Sequence, residues 1–383
     1  MAEKSFTASK SRSNRPGWSV TFRHPVRTDS RGERGIKVRR GLGTSDEEEA
    51  NRLVAQLNEL LHDEYWWSGD RRSDAESRYG IEASRIDPET RRSEVIPLPD
   101  ADDGYSTVMF LGTTGAGKTT LLRHVIGSDP EADRFPSTST AKTTTADFEI
   151  VTSPGSYEAA VTFMPEHEVR AHIDECLEEA CLEAIQKKPD GKIAAALLEH
   201  REQRFRLSYV LGGWTDTAAA EADDFSFDDE QDTAVEIDEA EAVSPEERER
   251  NHVRLKEFVS RIKTLTAEVE EKFTGSLGKI ADQKTADDRA TWLELFGVEA
   301  FKHQQFSNLA LDITEEVADR FSKIEDGDLQ RSSTDWPVLW TIEVDDREHF
   351  LSAVRWFSSN HHKQFGRLLT PLVDGIRVKG PLF

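Results

Sequence analysis

The sequence predicts an α/β fold whose core carries a large helical insertion and is preceded by a small α+β N-terminal domain. Three observations predict it. A glycine-rich loop at 112–119 is flanked by a strand-like run and a helix-like run. A long stretch of helical periodicity follows at 165–335, after which extended apolar runs return. Ahead of all this, residues 17–64 combine two short alternating runs with one helical stripe.

The chain has 383 residues, enough for two or three domains. No apolar run approaches a membrane span, and Met1 to Ser5 lacks the apolar core of a secretory signal. Cys176 and Cys181 are the two cysteines. Five positions apart on a predicted helix, they face different directions, so free thiols and a cytoplasmic setting are expected. Net charge is −24, but residues 1–43 hold eleven Lys/Arg against three Asp/Glu, leaving −32 for the rest. A basic head on an acidic body suits an anionic partner.

Residues 1–16 are rich in Ser, Lys and Arg and read as a disordered basic tail. Gly17 to Arg23 alternates as a strand, and Gly35 to Thr44 reads as a second strand ending in a turn. Thr44 or Ser45 is placed to cap a helix from near Asp46 to His62, with Leu53, Leu57, Leu60 and Leu61 on one stripe. Lys37, Arg39 and Arg40 around Val38 put cations on the open face of the second strand, where they suit phosphate contact, a solvated basic face or a contact with the acidic body. The residues Trp18 to Arg23, Lys37 to Thr44 and Glu47 to Leu61 resemble the small arm-binding domain of tyrosine-recombinase integrases. That resemblance implies DNA contact through Arg23, Lys37, Arg39 and Arg40. No integrase catalytic region follows, so it does not imply recombination.

Residues 65–104 read as a linker that ends in a stiff acidic lead-in, Pro97 to Gly104. The core then begins, its first part spanning 105–164. Tyr105 to Leu111 reads as a strand. Gly112-Thr113-Thr114-Gly115-Ala116-Gly117-Lys118-Thr119 matches G-x-x-x-x-G-K-[ST], the phosphate-binding loop of P-loop NTPases. Thr120 to Ile126 continues as a helix up to Gly127. In this pattern residues 112–120 surround a nucleoside triphosphate, GTP or ATP, with backbone N–H groups. Lys118 reaches the β- and γ-phosphates, and the Thr119 hydroxyl holds Mg²⁺.

A Ser/Thr-rich loop at 137–145 follows at the spacing of a first-switch threonine. Thr143 or Thr144 is the candidate to meet the γ-phosphate, with Thr144 assigned to Mg²⁺. This loop is what favours GTP over ATP. Ala146 to Val151 and Tyr157 to Met164, joined by Ser153 to Ser156, carry a hairpin signature. Helices are expected from Glu166 to about Ile185, over 192–207, from Ser244 to Gly275, and near 286–303 and 305–324. His172 and Cys176 stand four apart but have no second pair to complete a metal site, so packing is expected of them. Glu221 to Glu241 holds eleven acidic residues and no basic one, so 215–243 reads as an acidic disordered loop. The helical insertion is also a candidate surface for self-association or a protein partner.

Residues 336–383 return to the core. Val338 to Asp345 and Leu368 to Asp374 are apolar runs that end in acid. Glu343 argues against a central strand in the first, and Pro371 breaks the second. No D-x-x-G or [NT]-K-x-D follows the phosphate loop. The order of parts resembles the dynamin-like large GTPases: Gly112 to Gly127 resembles their first element, and Gly375 to Pro381 the strand before D-x-x-G. The resemblance implies a chain cut before its catalytic domain is complete. It also implies Mg²⁺-dependent hydrolysis that switches a helical machine in the intact protein. The runner-up is a DNA-associated ATPase anchored by residues 17–64, and a third reading is a nucleotide-binding scaffold that does not hydrolyse.

Overall fold

The computed structural model describes residues 6–11, 17–26, 28, 31–42, 44–63, 67, 87–112, 116–127, 147–199, 207–214, 244–283, 285–324, 326–332, 335–358 and 369–381. The first strands, β1 (Ser9–Ser11), β2 (Ser19–Arg23) and β3 (Lys37–Gly41), make an antiparallel sheet in that order. Phe22 pairs with Val38, so both side chains share one face. On that face α1 (Glu47–His62) closes a small core of Ala8, Val20, Phe22, Val38, Leu57, Leu60 and Leu61.

Asp46 caps α1 by accepting the Glu49 N–H at 2.8 Å, and Glu47, Glu48 and Glu49 sit at the positive end of the helix dipole. The expected caps, Thr44 and Ser45, stand too early; Thr44 Oγ1 accepts the Asp46 N–H at 3.1 Å instead. Part of the expected disordered tail is also ordered. Ser9–Ser11 pairs along β2, and the Ala8 N–H donates to Asn58 Oδ1 at 2.7 Å. A three-residue polar edge strand carries no periodicity that a sequence reading can detect.

The expected linker contains α2 (Pro88–Val95), capped by Asp87 and opened by Pro88. After it come α3 (Lys118–Val125), β4 (Asp147–Thr152) and β5 (Tyr157–Phe163). The helical body follows, with α4 (Glu166–Ile185), α5 (Asp190–Leu198), the short α6 (Ser208–Leu211), α7 (Pro245–Leu277), α8 (Ala286–Lys302) and α9 (Gln304–Asp319). The 192–207 helix expected from sequence is thus shorter and starts earlier. Val169, Ile173, Leu177, Ala180 and Ile185 of α4 are buried where α5, α7, α8 and α9 pack around it. The chain then forms β6 (Asp328–Arg331), β7 (Pro337–Val344), α10 (Arg347–Ser358) and β8 (Val373–Gly380).

The second sheet runs β4-β8-β5-β7-β6. Its β4–β8 pair is parallel and the others are antiparallel. Two expectations are corrected here. β4 and β5 do not pair as a hairpin, because β8 lies between them and takes the hydrogen bonds of both. β7 is not an edge strand. It pairs on both sides, and Glu343 is tolerated because its side chain is exposed and accepts the Ser156 hydroxyl at 2.8 Å. Pro371 does interrupt its run, in a 3₁₀ turn at Thr370–Leu372 just before β8.

Alternation gives this sheet two different faces. Ala159, Val161, Phe163, Trp340, Ile342, Ile376 and Val378 join the main core with Phe350, Val354 and Phe357 of α10. The opposite face bears Ala160, Val151 and Leu339, which pack under Ile96, together with a buried ion network beneath α2. Arg377 is fully buried; its Nε donates to Glu149 Oε2 at 2.7 Å, and its Nη1 donates to the Ile96 carbonyl at 2.7 Å and Ser93 Oγ at 3.0 Å. Arg92 reaches down from α2 to Thr162 Oγ1, to Asp374 Oδ2 at 2.9 Å and to Glu149 Oε2 at 3.4 Å. Its guanidinium lies flat over Gly375, where a Cβ would collide with it. Gly375→Ala is therefore expected to lower unfolding stability by about 1–3 kcal/mol, the range for overpacking a filled site, read from the shift in denaturant midpoint.

Candidate nucleotide-binding loop and the basic strand

The glycine-rich loop is described at both ends. Gly117 lies in the left-handed region at φ 79° and ψ 14°, which a side chain disfavours, and it turns the chain into α3. Its carbonyl accepts the Leu121 N–H at 2.9 Å, starting the helical ladder. Among the described residues no side chain caps α3. The first-turn backbone N–H groups therefore remain the helix's own resource for an anion. Lys118 folds back so that its Nζ donates to the Gly112 carbonyl at 2.8 Å. Gly112 itself stands against Ala116, where an added Cβ would lie 3.2 Å from the Ala116 methyl. Lys118, Thr119 and Thr120 thus share the first turn of a helix whose dipole favours negative charge.

Packing anchors this helix on one side only. Ile126 is buried in the main core and Leu122 packs against it, whereas Leu121 and Val125 face outward. The preceding run differs from expectation. Tyr105 packs with Ile96 and Val151, but residues 106–111 join neither sheet, and Val108, Met109 and Leu111 are 72%, 74% and 82% exposed. Thr113, Thr114, Gly115, Thr143 and Thr144 lie outside the described residues, as does the acidic stretch 215–243.

The basic strand has a definite environment. Arg39 Nη1 pairs with Asp312 at 2.7 Å and Glu315 at 3.1 Å on α9. Lys37 Nζ donates to Asn308 Oδ1 on the same helix. Arg23 donates to the Gly35 carbonyl at 2.8 Å. Arg40 is described through its backbone pairing with Val20. Of the roles the sequence leaves open for these cations, the structure shows the contact with the body for Lys37 and Arg39. Burial works against the Arg39 charge, but the Asp312 hydrogen bond and the fields of Glu315 and Asp312 outweigh it, so its pKa lies above the usual arginine value. Burial, then Arg23, Arg39 and Arg170, hold the Lys37 ammonium below its usual value.

Among the described residues no three His, Cys, Asp or Glu side chains stand together as a metal site, and no helix is long and apolar enough to cross a membrane. Comparison with protein-family models, curated proteins and solved structures finds no match to this chain. The α2 network was missed in the sequence because Arg92 lies in a charged stretch with no apolar period. Arg377, flanked by Ile376 and Val378 in a strand run, was the available signal.

Both cysteines are free and buried on α4. Burial pushes each thiol up to about 12, far from the reactive thiolate range. A thiol reagent at pH 8 is expected to leave the native chain unlabelled and to titrate both cysteines once denaturant is added.

Proposed function

We propose that this chain binds a Mg²⁺–nucleoside triphosphate at the loop of residues 112–120. The observation that carries the reading is the juxtaposition at the start of α3. There a left-handed Gly117, an uncapped helix N-terminus and Lys118 folded over the loop occur within a full G-x-x-x-x-G-K-T motif. Lys118 exchanges the Gly112 carbonyl for the β- and γ-phosphate oxygens, a stronger, charge-assisted partner. The backbone N–H groups of the first turn hold the β-phosphate. The Thr119 hydroxyl would hold the ion, which would supply positive charge to neutralise that developing on the phosphates.

The same site would support hydrolysis. Water would attack the γ-phosphorus, the bond to the β–γ bridging oxygen would break, and nucleoside diphosphate and inorganic phosphate would leave. Thr143 and Thr144 are the residues proposed to close over the γ-phosphate, in the manner of the dynamin-like GTPases that the order of parts resembles. A second reading, binding without turnover, is favoured by one observation: the run 106–111 that should support the loop from a sheet lies outside it.

Lys118→Ala is expected to weaken binding of a fluorescent nucleotide by at least about 100-fold, the loss of a charge-assisted contact worth ~3 kcal/mol. An unchanged affinity overturns the site. Competition between unlabelled GTP and ATP tests the base, and GTP is expected to displace the probe at the lower concentration.

A further inference from the structure

Residues 207–214, which include α6, pack against the early turns of α7 and against α9. Leu207, Val210 and Leu211 enter the main core. The Trp214 indole lies over Gly191 of α5, where an added Cβ would stand 3.3 Å from it. Between them Gly212, at φ 80°, turns the chain beside the Asn251 side chain. Polar groups are sealed beneath this segment. His252 of α7 is 7% exposed and its ring centre lies 5.9 Å from that of Trp214. Neither ring nitrogen has a hydrogen-bond partner, and both are closed off from water. Ser208 is 8% exposed, and its hydroxyl is likewise buried without a partner. Arg320, in the 3₁₀ turn after α9, donates from Nη1 to Glu247 at 3.0 Å and from Nη2 to Asn251 Oδ1 at 2.6 Å, but its Nε is buried and unmatched. Burial holds that guanidinium below its usual pKa, with Arg250 adding to the effect and Glu316 and Asp319 opposing it. Four polar atoms on three residues therefore lose water here with no bond in return. An unmatched buried donor or acceptor costs more than an ordinary hydrogen bond contributes.

We propose that residues 207–214 form a flap, held closed by their apolar side chains against this polar cost, that opens as a unit while α4, α5 and α7 stay folded. This is independent of the nucleotide reading. Opening gives up the packing of one short turn and returns Ser208, His252 and Arg320 to water. Its free energy therefore lies well below that of unfolding the body. The open state presents the His252 imidazole, the Asn251 amide and the Arg320 guanidinium together, a polar face that the closed state conceals.

Hydrogen exchange on the full chain tests this at three amides bonded in the closed flap. The Val210 and Leu211 N–H groups donate to the Leu207 carbonyl at 2.9 and 2.7 Å, and the Gly212 N–H donates to the Ser208 carbonyl at 3.0 Å. These amides are expected to exchange at least about 100-fold faster than those of Ile173 to Cys181 on α4, although Leu207, Val210 and Leu211 are just as buried. S208A and H252L each remove unmatched groups and keep the apolar packing. Each is expected to slow exchange at the three amides at least about fivefold, against the usual effect of a core substitution. Leu211→Ala, which weakens the apolar hold, should speed it. Protection at the three amides equal to that of α4, or slowing in neither S208A nor H252L, overturns the flap.

Discussion

The insertion of β8 between β4 and β5 is the constraint on which the rest of the architecture depends. β4 and β5 are consecutive in the chain, yet each spends its hydrogen bonds on a strand that arrives only after the whole helical body. The sheet therefore closes through its most sequence-distant contacts, which carry a loop-closure cost before they return any pairing. The same strand places Gly375 and Arg377 on the face beneath α2 and Ile376 and Val378 on the main core. One eight-residue segment thus ties α2, the sheet and the helical body together.

Charge is handled in two ways in this molecule, and burial makes the difference. Arg92 and Arg377 are withdrawn from water and surrounded by Glu149, Asp374, Thr162, Ser93 and a backbone carbonyl. Stripping one partner from such a pair costs about 3–5 kcal/mol, so the network fixes α2 to the sheet. Arg39, 17% exposed against 2% and 0% for Arg92 and Arg377, makes the same kind of bond with Asp312 and Glu315 where the N-terminal sheet meets α9.

The phosphate-loop segment differs from both. Its conformation is set locally, by the left-handed Gly117, the helix that follows and the Lys118 hold on Gly112. Its apolar lead-in is exposed and joins neither sheet. Among the described residues Tyr105 at one end and Leu122, Arg123 and Ile126 at the other are packed against the rest of the structure.

Features governed by local rules were legible in the sequence. The apolar stripes of α1, α4, α7, α8 and α9, the Ser244 cap and Pro245 start of α7, the two strands of the basic module and the loop-to-helix turn at Gly117 all follow from periodicity, capping and glycine stereochemistry. Partnership was not legible. Strand composition could mark β4, β5 and β8 but not their order, because pairing depends on which edges meet in space. The cations of β3 read as a surface for an external anion because nothing local reveals that α9 supplies Asp312 and Glu315 opposite them. The α2 stretch read as a linker because its one anchoring residue is an arginine, whose burial becomes tolerable only when Glu149 and Asp374 converge from distant strands. By itself the sequence determined most of the helices and strands and the glycine turn into α3, which depend on neighbours a few residues away. Tertiary structure alone decided strand order, the buried ion network and the docking of the basic head, each of which pairs groups far apart in the chain.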